Sequence, residues 1–113
     1  MAYISGGVLP VKTAEKAKFV EATLKLAAIF RELGATDVMD AWGVDVPDGK
    51  VTDFKRAVKA EADETVVFSW MVWPDKATAD TAMEKMRTDP RMAAIDMPAN
   101  MQRMIFGGFE ALY

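Results

Sequence analysis

The stretch Thr65-Val66-Val67-Phe68-Ser69-Trp70-Met71-Val72-Trp73 decides the fold. Side chains alternate across a pleated strand, so Val66, Phe68, Trp70 and Val72 share one face and Val67, Ser69, Met71 and Trp73 the other. Both sets are mostly apolar. A strand of that kind is central in its sheet and covered on both sides. What the rest of the chain must supply is the cover.

On the N-terminal side there is one long helix. Thr13 reads as its N-cap, Glu15 complements the dipole in its first turn, and no Gly or Pro interrupts the run to Leu33 before Gly34 offers a left-handed stop. Phe19, Ala22, Leu26, Ile29, Phe30 and Leu33 form its main apolar stripe. Val20, Leu24 and Ala27 form a weaker second strip, either a partly exposed surface or a contact with another subunit. On the C-terminal side Pro74-Asp75 opens a second helix, with Ala79, Ala82, Met83 and Met86 at helical spacing. Asp89-Pro90 then starts a further helical turn through Ile95. Two helices cover one face of a sheet. In 113 residues the other face falls to a second copy of the chain.

Three more segments read as strands: Tyr3 to Val11, Ala35 to Val44, and Arg103 to Leu112, the last broken by Gly107-Gly108. Asp45-Val46-Pro47-Asp48-Gly49-Lys50 is a turn signal. After it Phe54, Arg56 and Val58 alternate with Lys55, Ala57 and Lys59, the pattern of a short edge strand. The order strand, helix, strand, strand, helix, strand is the split βαβ arrangement of ferredoxin-like folds, an α+β class with a four-stranded antiparallel sheet. One domain over residues 1–113 is expected.

Composition narrows the chemistry. There is no histidine and no cysteine, which removes disulfides, thiolate nucleophiles, zinc ribbons, imidazole bases and histidine-ligated haem. Proton transfer has Asp, Glu, Lys or Tyr to work with. Fourteen basic against seventeen acidic residues give a net charge of −3, so nucleic acid is not an expected partner. The first residues lack the basic and apolar regions of a secretory signal, and no apolar run approaches the roughly 20 residues that span a bilayer. A cytoplasmic protein without membrane contact is expected. Asp37, Asp40 and Asp45 are too spread to define a metal site, and no cofactor is assigned.

The segments Val46-Pro47-Asp48-Gly49-Lys50-Val51-Thr52, Arg56-Ala57-Val58-Lys59-Ala60 and Asp63-Glu64-Thr65-Val66-Val67-Phe68-Ser69-Trp70 form a signature, as do Asp89-Pro90-Arg91 and Arg103-Met104-Ile105-Phe106-Gly107-Gly108-Phe109-Glu110. Together they resemble the YbaA-like family of bacterial proteins, a domain of unknown function. The resemblance runs from the first strand to the last; Lys55 departs from it where relatives often carry Pro. It implies a ferredoxin-like domain of the dimeric α/β barrel superfamily, in which two sheets pack face to face. It carries no catalytic residue over.

Candidate site residues are weighed individually. Trp42, Trp70 and Trp73 either line an apolar pocket or fill core and dimer interface; Trp73, beside Pro74, is the indole expected to be partly exposed. Seven of nine methionines lie from Met71 onward, as a plastic cavity under the second helix or as ordinary core. Lys50, Lys55, Arg56 and Lys59 are an anion site or a charged edge that blocks aggregation. Gly6-Gly7 and Gly107-Gly108, on adjacent strands, open room against the sheet or mark a bulge. Arg103 orients an anion near that opening or pairs with Glu110 or Asp40.

Tyr3, Trp42, Arg56, Trp70 and Arg103 are therefore the candidate ligand-binding set, and no catalytic residue is assigned. The leading expectation is a homodimer, joined through its sheet face, that binds a small apolar or anionic molecule. Its rivals are a cofactor-independent monooxygenase or isomerase and an interaction protein without a pocket.

Overall fold

The computed structural model describes residues 1–113. Strands β1 (Tyr3–Lys12), β2 (Asp37–Trp42), β3 (Glu64–Trp73) and β4 (Ile105–Glu110) form one antiparallel sheet in the order β2-β3-β1-β4. Helix α1 (Lys16–Glu32) joins β1 to β2, and α3 (Lys76–Thr88) follows β3. Two single-turn helices, α2 (Phe54–Ala57) and α4 (Pro90–Ala93), lie in the connections. This is the ferredoxin-like, α+β arrangement. The molecule measures 37 × 35 × 20 Å. Its thinnest dimension holds one sheet and one helical layer at roughly 10 Å each, so one sheet face has no helical layer over it. No helix is long and apolar enough to cross a membrane.

Register sorts the side chains into two faces. Toward the helices one rung runs Asp40, Ser69, Gly7, Phe106 across the four strands, and the next runs Val38, Met71, Ser5, Gly108. On the outer face the rungs are Ala41, Phe68, Val8, Ile105; then Met39, Trp70, Gly6, Gly107; then Asp37, Val72, Ile4, Phe109. The β1–β4 pairing runs without a break from Tyr3↔Glu110 to Val8↔Ile105. The glycine pairs therefore mark no bulge, and β4 is not interrupted at Gly107-Gly108.

Two core clusters sit on the helix side. In one, Trp73 lies against Ala27, Ala35, Val38, Ala79 and Ala82, with Tyr3, Phe30 and Leu33 around it. The alanines of α1 and α3 make room for the indole. Its Nε1 donates to Ser5 Oγ at 3.2 Å. Trp73 is thus fully buried and not the exposed indole its place beside Pro74 suggested. The other cluster joins Leu9, Val11, Phe19 and Val67.

Three local expectations are corrected. Residues 54–57 form a helical turn and not an edge strand: the Asp53 carboxylate accepts from the Arg56 backbone N–H at 2.7 Å and caps it, and Lys59, in the left-handed region at φ 50°, ends the segment. Val58 turns inward onto Val8 and Val66 and covers one end of the outer face. Thr13 does not cap α1. It lies in a 3-10 turn, with its hydroxyl bonded to that of Thr65 at 2.7 Å. On α1 the buried set includes Thr23 and Ala27, which leaves only Val20 and Leu24 of the second strip exposed. The α3 start is as read: Asp75 Oδ1 accepts from the Thr78 N–H at 2.8 Å.

Candidate functional site

Between the two core clusters the sheet carries almost no side-chain volume. Ser5, Gly7 and Ser69 are neighbours on the two central strands, and together they form a floor on which nothing large stands. The helices above keep their distance because their own residues are long. From α1, Phe19, Thr23, Leu26 and Phe30 descend at alternating spacings of four and three. From α3 come Met83 and Met86, and Met92, Met97, Met101 and Met104 close the far end. The result is a cavity of about 520 Å³, within the range that encloses a small organic ligand.

All seven methionines from Met71 onward border this cavity, as does Met39. Their unbranched thioethers adapt to varied shapes, which suits walls that must close on a guest and also stand without one. Gly7 is needed where it is. A Cβ there would come within 2.7 Å of the Ile105 carbonyl oxygen and 2.8 Å of the Met104 methyl.

The polar content is small and mostly spent. Thr23 donates to the Val20 carbonyl at 3.0 Å, and Ser5 accepts from Trp73. Ser69 Oγ donates to Asp40 Oδ1 at 2.7 Å, across adjacent strands on one rung. That leaves Asp40 as a carboxylate at the cavity rim, open to water, with Ser69 as its only hydrogen-bond partner.

The five sequence-predicted residues do not converge. Tyr3 lies with its ring over Gly108, beside the Trp73 cluster and outside the cavity lining. Trp42 tilts against Phe19 at 6.2 Å between centroids, with Lys16 Nζ 5.4 Å above its ring. Trp70 is an outer-face residue, edge-on to Phe68 at 5.4 Å, and borders the cavity from that side. Arg56 is consumed locally, bonding Asp53 at 2.9 Å and the carbonyls of Val51 and Gly49.

Arg103 pairs with neither Glu110 nor Asp40. Its guanidinium grips Glu64 through two bonds of 2.7 and 2.6 Å and also donates to the Lys59 carbonyl at 2.8 Å. The Arg103 hydrogen bonds are the main reason the Glu64 carboxyl is pulled down to about 2. They act with the Glu61 backbone N–H and outweigh burial. This clasp fastens the segment that carries Met97, Met101 and Met104 onto the start of β3.

Most of the lining lay outside the candidate set. The methionine cluster was visible as a count, and Phe19, Leu26 and Phe30 as a stripe. Asp40, Ser69 and Gly7 could be joined only once strand register was known.

The outer face presents a second concavity. Ile4, Val8, Phe68, Trp70, Val72, Ile105 and Phe109 surround a groove whose low point is the rung Gly6–Gly107. Phe68 and Phe109 remain 45% and 60% exposed there. Phe54 of α2 meets Phe68 edge-on at 6.2 Å along one margin.

A family model described as protein of unknown function (DUF1428) matches residues 2–107. The chain is 47% identical over 114 aligned positions to the uncharacterized protein YbaA of Escherichia coli (strain K12), covering 99% of this chain and 97% of that one. The same figures hold for YbaA of Shigella flexneri. Among solved structures it is similar to a mutant of SnoaB, a cofactor-independent oxygenase from Streptomyces nogalater. There the TM-score is 0.63 at 16% identity, covering 99% and 94% of the two chains. It is also similar to a dimeric ferredoxin-like protein of unknown function from Jannaschia sp. CCS1, with a TM-score of 0.57 at 14% identity over 96% and 99%. At those identities the likeness shows the fold.

Proposed function

We propose that this chain, which belongs to the DUF1428 family of YbaA-like proteins, is a homodimeric binder of an apolar small molecule held between its sheet and its helices. The observation that carries the reading is the cavity itself: a floor of Ser5, Gly7 and Ser69 under walls of methionine and phenylalanine. A core built only for stability fills such a space, since each unfilled methyl-sized void costs about 1 kcal/mol. An anionic ligand is less well served, because Arg56 and Arg103 are both engaged by carboxylates. The dimer is supported by the exposed apolar outer face and by the dimeric solved neighbour.

The test is calorimetric titration with naphthylmethanol, a neutral apolar probe. Saturable binding by the wild type is expected, with Leu26→Trp, which pushes an indole into the cavity, weakening it about tenfold or more. Absence of binding, or equal binding by the variant, overturns the reading. One observation favours a second reading, cofactor-independent oxygenation or isomerisation: the Asp40 carboxylate beside Ser69 places a base at the same cavity. Consumption of the bound molecule would separate it from binding alone.

A further inference from the structure

Resting on that cavity reading, we infer that the natural ligand is an apolar molecule carrying a protonated amine, with the ammonium at the rim beside Asp40 and the apolar body among the methionines. Two charged residues border the cavity, Asp40 and Arg87. Arg87 is turned to its helix neighbour Glu84 at 3.4 Å. Asp40 has no ion-pair partner. Ser69 holds one carboxylate oxygen in place and leaves the other free. Two more cations border the shallow groove that shares Asp40: Lys16, which sits over the Trp42 ring, and Arg31. Neither forms an ion pair with it.

Of the charged groups that line the cavity itself, the one without an ion-pair partner is therefore Asp40, fixed at the edge of an apolar space. A carboxylate so placed accepts a charge-assisted N–H···O bond from an ammonium group. It repels a carboxylate and gains less from a hydroxyl. Because Asp40 is open to water, the head group keeps part of its hydration while the apolar body packs against the methionines and phenylalanines. An amphiphilic amine meets both requirements, and the neutral and anionic alternatives each leave one unmet.

The experiment titrates the full-length protein at neutral pH with three probes of one ring system: naphthylmethylamine, naphthylmethanol and naphthylacetate. The amine is expected to bind about three- to tenfold more tightly than the alcohol, and the acetate more weakly than both. In Asp40→Asn the ratio of amine to alcohol falls toward one. In the wild type the same ratio falls as salt is raised to about 0.5 M, which tests the charge without any substitution. Binding of the alcohol with no preference for the amine, or a preference that survives in Asp40→Asn and in salt, overturns the amine assignment and leaves the cavity reading intact. Failure of all three probes to bind overturns both.

Discussion

Glu64 and Arg103 show how a single pair fixes the edge of the cavity. The carboxylate is almost wholly buried and the guanidinium is about one-fifth exposed, so two short parallel bonds form where solvent competes poorly. Arg103 sits one residue before Met104, and the clasp thereby holds the cavity's far wall. The pH signature follows from the direction of the shift. Glu64 titrates near 2 when folded and at the ordinary value of about 4.5 when unfolded. Its contribution to stability is fully present above about 4.5 and is lost as pH falls toward 2. Arg103→Met removes the partner. Thermal melts should show the variant less stable than wild type near neutral pH, with the gap closing between about pH 4.5 and 2. A gap of constant size across that range would mean the pair contributes nothing through its charge.

At the scale of elements, the sheet separates two tasks by alternation. Gly6 and Gly7 are consecutive, yet Gly6 lies at the low point of the outer groove and Gly7 in the cavity floor. Gly108, one position past Gly107, lies under the Tyr3 ring. Gly7→Ala should destabilise by about 1–3 kcal/mol, since the added methyl meets the backbone of β4 and cannot be relieved by one side chain swinging away. Chemical denaturation measures this directly; an unchanged midpoint would show that β4 is free to shift. The main elements were legible in the sequence because their signals are local: the alternation of residues 65–73, the α1 stripe, the Asp75 cap. Residues 54–57 were misread because Phe54, Arg56 and Val58 imitate a strand, and only the Asp53 cap and the inward turn of Val58 decide otherwise. Trp73 was misplaced for a related reason. Its neighbour Pro74 signals a strand end, whereas its burial is set by alanines of α3, which follows it, and of α1, more than forty residues earlier in the chain. The rung Asp40–Ser69–Gly7–Phe106 draws one residue from each of four strands, so no window of sequence contains it.

In the whole molecule the two sheet faces divide the labour: one encloses a cavity under helices, and the other offers a broad apolar surface. The cover that the doubly apolar β3 requires is only partly supplied by Val58 and Phe54. The rest is the surface we assign to a second copy. Phe68→Glu places a charge in that surface and should convert a sedimenting dimer to a monomer at micromolar concentration. A variant that stays dimeric would place the contact elsewhere. The cavity is the central claim, and the methionines that line it provide the probe. Carbon-13 labelling of the methionine methyl groups, followed by titration with naphthylmethanol, reports on the sheet, the α3 wall and the far end at once, with exposed Met1 outside the cavity as the internal control. The expected result is that the methyl resonances from Met71 onward move along one saturable curve while Met1 stays in place. Resonances that do not move, or that move no more than Met1, would contradict it.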